Sequence, residues 1–362
     1  MTPSSVYIHI PFCKSICSYC DFCKVLYTKE WAVNYLKSLK NEIQNRYMGE
    51  EISTIYIGGG TPSALSLKEI EYLLNLTNLF HKDKLQEFTF ECNVEDITEE
   101  LLDLLKKHHV NRLSVGVQSF DSTNLRFMKR KSVFEDVKNK MALMRIKGFD
   151  NINLDLMYAL PEEEYKIVKK DVKLFLKLNP EHISTYSLML EDNTFLKYQK
   201  VNNIEEELDA KMYDYICKKL SRSGYEHYEV SNFAKPGYKS KHNLVYWSNQ
   251  EYYGFGSGAS GYVGGVRYDN TRSLSQYLDG HVNSKETLLS KEDIMNYEVM
   301  LNFRKLEGIN LKEFYDKYQV NLQDAYPIKP LLQTGDLIHQ NGYVKINPTK
   351  IYIMNEILLK IV

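Results

Sequence analysis

The sequence predicts an α/β fold: a parallel sheet curled into an open or partial (β/α)6 barrel, followed by a small helical, winged-helix-like domain. Three observations predict it. Over the first two-thirds of the chain, six short apolar runs alternate with stretches of helical periodicity. Strands separated by helices imply right-handed crossovers and parallel pairing. The polar motifs fall at the C-terminal ends of those runs, the rim at which parallel α/β folds hold ligands. Towards the C-terminus the alternation gives way to helices and a hairpin.

The first strand is predicted over residues 6–10, ahead of a cysteine-bearing loop and a helix over 29–46. Residues 53–57 form the second strand, followed by Gly58-Gly59-Gly60-Thr61-Pro62 and a helix over 67–80. The third strand covers 87–91 with a helix at 98–107, and the fourth covers 113–118 with helical stretches at 122–128 and 134–146. Residues 151–158 and 165–178 supply the fifth strand and its helix, and 182–188 the sixth strand. The pattern then weakens into a helix at 205–221, a strand at 225–230 and a loop rich in Gly, Tyr, Ser and Asn up to about residue 270. Helices at 292–304, 311–318 and 325–334, a hairpin at 337–346 and a last helix close the chain. The expected division is 1–200 for the barrel core, 201–285 for an extension and 286–362 for the helical domain.

Composition narrows the function classes. Hydrophobic residues make up 43% and charged residues 26% of the 362, an ordinary balance that excludes disorder and low-complexity classes. Lys and Arg number 46 against 47 Asp and Glu, so nothing pulls the chain towards nucleic acid or an anionic membrane. The first twelve residues lack a basic stretch and an apolar stretch, so no signal peptide is expected. No run approaches the ~18 apolar residues that a spanning helix needs. The expected compartment is the cytoplasm, where thiols stay reduced.

Four of the six cysteines, Cys13, Cys17, Cys20 and Cys23, lie within eleven residues. In a reducing compartment such a cluster points to metal rather than to disulfides. The spacing C-x3-C-x2-C puts three thiolates on one tight loop. Each could hold one iron of a cubane cluster and leave the remaining iron open to a chelating ligand. A tetrahedral zinc site is the rival reading. Cys92 and Cys217 stand alone and read as small core residues.

A C-x3-C-x2-C motif directly after a first strand resembles the radical S-adenosylmethionine (SAM) superfamily. The resemblance narrows to the branch that joins the coproporphyrinogen III oxidase HemN to the heme-binding HemW proteins. The strings that carry it are Y-I-H-I-P-F-C (7–13), C-D-F (20–22), I-G-G-G-T-P-S (57–63), S-V-G-V-Q-S-F (114–120), N-L-D-L-M-Y-A-L-P (153–161) and H-N-L-V-Y-W (242–247). The resemblance implies a [4Fe-4S] cluster on Cys13, Cys17 and Cys20, with SAM chelating the open iron. It implies that Tyr19 packs on the adenine. By motif match, Tyr7, Tyr19, Gly59, Gly60, Thr61, Glu91, Gln118, Arg130 and Asp155 resemble SAM-site residues.

Several of these residues also have readings of their own. Glycines at 58–60 let backbone approach a ligand, and amides near the next helix start suit an anionic group such as the carboxylate of SAM. The plain alternative is a tight strand-to-helix turn. Glu91 at a strand end could accept from ribose hydroxyls or an ammonium, or merely cap a helix. Arg130 could grip a carboxylate, or belong to a solvated Lys129-Arg130-Lys131 face. His242 could be an axial heme ligand, oriented by Asn243 and flanked by Tyr246 and Trp247, or a structural histidine. His9, Cys23, His227 and Cys217 are weaker ligand candidates.

Two features lean the resemblance towards HemW. Only twelve residues precede Cys13, where HemN carries a longer extension. The HemN pattern puts a fourth cysteine at the place of Phe22, whereas here Cys23 lies one later. The expected function is therefore a heme chaperone that binds a [4Fe-4S] cluster, SAM and heme and delivers heme to respiratory hemoproteins. The expected partners are heme and an apo-hemoprotein client, met peripherally at membrane-bound respiratory proteins, with a homodimer compatible and nucleic acid not expected. The alternatives are an oxygen-independent coproporphyrinogen III oxidase and a zinc-stabilised adaptor. The C-terminal domain is expected to dock a client or to close over the barrel mouth.

Overall fold

The computed structural model describes residues 2–191, 194, 196 and 201–362. The expected boundary at residue 200 lies outside the described residues.

All six predicted strands form: β1 (Ser5–Ile10), β2 (Thr54–Gly59), β3 (Glu87–Asn93), β4 (Arg112–Gln118), β5 (Ile152–Tyr158) and β6 (His182–Ser187). They pair in sequence order and in parallel. Between them run α1 (Lys29–Arg46), α2 (Leu67–Leu76), α3 (Glu99–Lys107), α4 (Ser122–Met128), α5 (Phe134–Ile146) and α6 (Tyr165–Leu178). Local chemistry explains the boundaries. Thr28 caps α1, and Ser66 with Glu69 forms a reciprocal capping box at α2. Asn179 ends α6 in the left-handed region.

The extension completes the sheet. It supplies α7 (Glu206–Ser221), β7 (Glu226–Glu229), β8 (Asn232–Ala234), α8 (Lys241–Trp247) and β9 (Tyr253–Phe255). The sheet order is β9-β1-β2-β3-β4-β5-β6-β8-β7, with β9 parallel to β1 and β8 antiparallel to β6. The stretch expected as a loop up to about residue 270 therefore contains two sheet strands and a helix. It also starts a second sheet of Ser260–Val263, Val266–Asn270 and Asn283–Leu288. These strands are three to six residues long and rich in Gly and Tyr, too short to show a period.

The barrel strands alternate in an informative way. Val6, Ile8, Ile10, Ile55, Ile57, Phe88, Phe90, Leu113, Val115, Ile152 and Leu154 are fully or nearly fully buried under the helices. The intervening positions, which face the other side of the sheet, are polar: Ser5, Tyr7, His9; Thr54, Tyr56; Glu87, Thr89, Glu91; Arg112, Ser114; Asn153, Asp155. The outer face of the sheet is the hydrophobic core, and its inner face is a polar lumen.

The C-terminal domain has the expected pattern of helices, Leu311–Tyr318, Leu322–Ala325 and Ile328–Gln333, then a hairpin of Leu337–Gln340 and Tyr343–Ile346. The helix expected over 325–334 is two helices, separated around Pro327. The chain leading into this domain joins the barrel through Leu306 N to Tyr228 O at 3.0 Å and Lys305 Nζ to Ser248 Oγ at 3.1 Å. These partners belong to β7 and the end of α8, which lie at the N-terminal ends of the barrel strands. A second attachment runs from Tyr352 to α7, through its hydroxyl to Glu206 O at 3.3 Å and its ring 5.9 Å from Tyr213.

Candidate functional site

The cysteine loop leaves the C-terminal end of β1 and is pinned from several sides. Val25 N donates to Pro11 O at 2.7 Å and Tyr27 N to Cys13 O at 2.9 Å, closing its base. Lys14 pairs with Asp96 at 2.6 Å, and Ser18 Oγ donates to Phe127 O at 2.6 Å. Cys13 is buried, while Cys17 and Cys20 are half-buried and Phe22 is exposed at the tip. Thr61 Oγ1 donates to Cys13 Sγ at 3.6 Å. Burial pushes the Cys13 thiol up to about 11, as it does for any thiol taken out of water.

Cys23 is a packing residue. Its sulfur lies 3.4 Å from Arg272 O and 3.7 Å from Ser257 Oγ, and a Cβ on Gly258 would come within 2.4 Å of its Cβ. It fastens the end of the loop to the extension. His9, another candidate, does the same from below. Its Nε2 donates to Cys23 O at 2.8 Å, and its Nδ1 accepts from Tyr7 OH at 2.9 Å. Burial lowers His9 to about 4, so the ring is neutral and both nitrogens are in use.

The glycine turn corrects one expectation. Its amides were expected to meet an anion, but they are engaged: Gly59 N with Glu91 Oε2 at 3.1 Å, Gly60 N with Ile10 O at 2.8 Å and Thr61 N with Phe12 O at 2.9 Å. No helix start follows directly, because a short 3-10 turn (Pro62–Ala64) intervenes before α2. The glycines serve close approach instead. A Cβ at Gly60 would lie 2.8 Å from the Pro11 carbonyl carbon and 3.0 Å from Cys13 Sγ. Gly59 has φ 117°, which glycine alone adopts freely.

Glu91 accepts from Tyr56 OH at 2.6 Å as well as from Gly59 N. Burial is the main reason its carboxyl rises to about 7. Asp155, which accepts from Asn153 Nδ2 at 2.8 Å, rises to about 6 for the same reason. Two carboxyls with raised affinity for protons in one lumen mark a site that would favour a cation. Gln118 ends β4 at φ 75°, at a register shift against β5, a strained conformation of the kind that collects at ligand sites. Arg130 donates to Asn93 Oδ1 at 2.5 Å and to Tyr19 OH at 3.5 Å. Among the described residues no partner reaches its buried Nε. It is thus a half-buried cation whose guanidinium turns inward to neutral partners, not part of a solvated face. Tyr19 joins a small apolar cluster of Leu125, Met128, Met157, Leu160 and Leu188 beside the loop.

Sequence reasoning missed Arg112. It is 2% exposed at the start of β4, and its charge lowers Glu91 and Asp155 against their burial. The signal was available: a lone cation on the polar side of an alternating strand.

His242 lies elsewhere. It sits on α8, against Thr54 at the N-terminal end of β2, the end opposite the cysteines. It is fully buried, with Nδ1 2.8 Å from Thr54 Oγ1 and Nε2 2.7 Å from Tyr246 OH. Both ring nitrogens are taken and no face is open, because the ring packs on Tyr56 at 5.3 Å. The expectation that His242 ligates heme is corrected by this packing. His227 is half-buried, with its ring stacked on Phe233 at 4.3 Å and Nε2 3.4 Å from Val230 O.

The donor set suits the cofactors that the motif implies. Three thiols share one pinned loop, the Cys13 sulfur lying against a turn cleared of Cβ atoms, and the same site holds a buried arginine nitrogen with no partner among the described residues and two raised carboxyls. Among the described residues, no three His, Cys, Asp or Glu side chains already converge on one point as ligands of a single ion.

The radical SAM superfamily model matches residues 7–175, and the HemN C-terminal domain model matches residues 289–350. The heme chaperone HemW of Lactococcus lactis is 42% identical over 90% of this chain and 87% of its own. That of Bacillus subtilis is 38% identical over 93% of each, and that of Escherichia coli 33% over 87% and 86%. The structure of coproporphyrinogen III oxidase (HemN) from Escherichia coli has a TM-score of 0.87, covering 99% of this chain and 89% of that one at 22% identity. That likeness shows a shared fold. Identity of 42% along nine-tenths of the sequence goes further: the chain belongs to the HemW family of the radical SAM superfamily.

Proposed function

We propose that the chain is a heme chaperone. It holds a [4Fe-4S] cluster on Cys13, Cys17 and Cys20, binds SAM in the barrel mouth, carries heme and delivers it to an apo-hemoprotein. The observation that carries this reading is the match to heme chaperones over nine-tenths of the chain, with the cysteine loop set over a polar lumen. Membership of the superfamily implies the cluster and SAM. When bound, the cluster would supply an electron to the SAM sulfonium.

The residues divide the work. Glu91 and Asp155 offer negative charge to the cationic groups of SAM. Arg130 Nε is the donor left for its carboxylate. Tyr19 supplies a ring beside the adenine, Gln118, Tyr7 and Thr61 supply hydrogen bonds, and Gly59 and Gly60 keep the turn clear. Heme requires an accessible ligand, and His242 is not one. Met189, which is 67% exposed just past the end of β6, offers a thioether at the mouth.

The test is heme titration of the cluster-loaded protein, followed by mixing with an apo-hemoprotein acceptor. Binding at one heme per chain and its transfer are expected; failure of both overturns the reading. On this reading the clients are respiratory hemoproteins, met peripherally from the cytoplasm, and no described helix is long and apolar enough to cross a membrane. A homodimer would show in light scattering. The fold shared with HemN favours a second reading, oxidative decarboxylation of coproporphyrinogen III. Anaerobic turnover to protoporphyrinogen IX would establish it. Metal analysis separates both from a zinc-stabilised adaptor: about four irons per chain against one zinc.

A further inference from the structure

The H-N-x-x-Y-W helix is left without a role once His242 is excluded as a heme ligand, yet it is among the most tightly bonded parts of the molecule. Glu87, the first residue of β3, receives the first two amides of α8 and the hydroxyl of its cap, Ser240. Its carboxylate accepts from Ser240 Oγ at 3.2 Å, Lys241 N at 2.9 Å and His242 N at 3.1 Å. Buried helix amides otherwise lack partners, so this carboxylate fixes where the helix begins. The helix thereby lies across the N-terminal ends of β2 and β3 and forms the floor of the barrel.

The protonation of His242 follows from its neighbours. Thr54 Oγ1 spends its hydrogen on Ser5 Oγ at 2.8 Å. It must therefore accept from His242 Nδ1–H, which leaves Nε2 to accept from Tyr246 OH. Burial lowers the ring to about 3, consistent with a neutral imidazole.

Above His242 stands a column of rings. Tyr56 lies 5.3 Å from His242, Tyr7 lies 6.0 Å from Tyr56, and His9 lies 5.9 Å from Tyr7. Strand alternation builds it, because Thr54 and Tyr56 share one face of β2 while Ser5, Tyr7 and His9 share one face of β1. Each upper ring holds part of the mouth. Tyr56 OH donates to Glu91 Oε1, and His9 Nε2 donates to the carbonyl of Cys23 in the cysteine loop. Interiors are close-packed, so a ring displaced at the base is felt along the stack.

We infer that His242 is a positioning residue: through the ring column His242–Tyr56–Tyr7–His9, the floor helix sets the placement of Glu91 and of the cysteine loop. The inference rests on the proposal that this mouth binds the cluster and SAM. It gives the motif a role in SAM binding and none in heme ligation.

The experiment compares four variants of the reconstituted full chain: His242→Ala, Thr54→Val, Tyr246→Phe and Glu91→Gln. For each, SAM affinity is measured by equilibrium dialysis, the reduced cluster by electron paramagnetic resonance with and without SAM, and heme affinity by titration. His242→Ala is expected to keep its iron and its heme affinity while SAM affinity falls about tenfold, equivalent to ~1.4 kcal/mol. The SAM-induced change in the cluster spectrum should weaken with it. Thr54→Val and Tyr246→Phe, which each remove one bond and keep the ring, should show smaller shifts in the same direction. They also carry the test if His242→Ala does not fold. Unchanged SAM affinity and spectra in the floor variants, with a clear loss in Glu91→Gln, would overturn the inference alone. Unchanged SAM affinity in Glu91→Gln would overturn the underlying site. Loss of heme affinity in His242→Ala with SAM affinity intact would return His242 to the role of heme ligand.

Discussion

The two ends of the barrel are built from the same strands and differ in what they leave unfinished. At the floor, the first turn of α8 is held: Glu87 takes three donors, and both nitrogens of His242 are bonded, while Trp247 Nε1 at the far end of the helix has no partner among the described residues. At the mouth, Arg130 Nε has no partner among the described residues, Gln118 sits at φ 75°, and Cys17 and Cys20 remain half-buried. Satisfied polar groups stabilise; unsatisfied or strained ones persist where a ligand completes them. The difference teaches that a histidine in a suggestive motif has to be judged by which end it occupies.

The largest expected effect lies at the mouth. Replacing Cys13, Cys17 and Cys20 together by Ser should abolish the visible absorbance of thiolate-ligated iron after reconstitution. Urea unfolding of the iron-free protein should scarcely change. Retained absorbance would break the comparison at its functional end. Next comes the floor. Glu87→Ala leaves three buried donors without an acceptor and should cost about 3–5 kcal/mol in urea unfolding. A cost below 1 kcal/mol would show that α8 is not anchored as described.

Glu91 tests the boundary between the two ends. Its folded-state carboxyl titrates near 7, above its ordinary value of 4.5, chiefly because of burial. For an acid with a raised value, the folded state binds the extra proton. Its contribution to stability is therefore complete below the unfolded value and is lost as pH rises through the window from about 4.5 to 7. Glu91→Gln carries no such charge. The variant should gain on the natural protein between pH 5 and pH 8 by up to about 3 kcal/mol, measured by urea unfolding without SAM. The same variant should bind SAM more weakly. A pH-independent difference would mean that Glu91 is already charged and compensated by Arg112.

Much of this was legible in the sequence, and the misses have physical causes. Six strands and the helices over 29–46, 122–128, 134–146 and 165–178 could be read because each is long enough to show its period. Of the short strands of the extension, β7 falls within the expected 225–230, but the three-residue β8 and β9 could not be read, since three residues carry no period. The cysteine loop was legible because ligand spacing is a local property. The position of His242 was not. Which end of the barrel a residue occupies depends on contacts such as Glu87 with Lys241, separated by 154 residues. The glycine turn shows the same limit, because its amides are taken by Ile10, Phe12 and Glu91, none of them neighbours in sequence.

The smallest effect concerns Cys23, which sequence proximity groups with the ligands and structure separates from them. Its carbonyl is held by His9 Nε2 at 2.8 Å, and its sulfur points at Arg272 O, 3.4 Å away on the extension. To reach a cluster shared with Cys13, Cys17 and Cys20, that sulfur would have to leave a packed pocket against Gly258 and give up both contacts. Three thiolates already suffice for three irons, and a fourth would occupy the open position at which SAM binds. Cys23→Ala should therefore load the same iron per chain and bind SAM with unchanged affinity. It should lose about 1 kcal/mol of stability through lost packing in the loop. An iron content reduced by a quarter, or a cluster that no longer responds to SAM, would place Cys23 among the ligands.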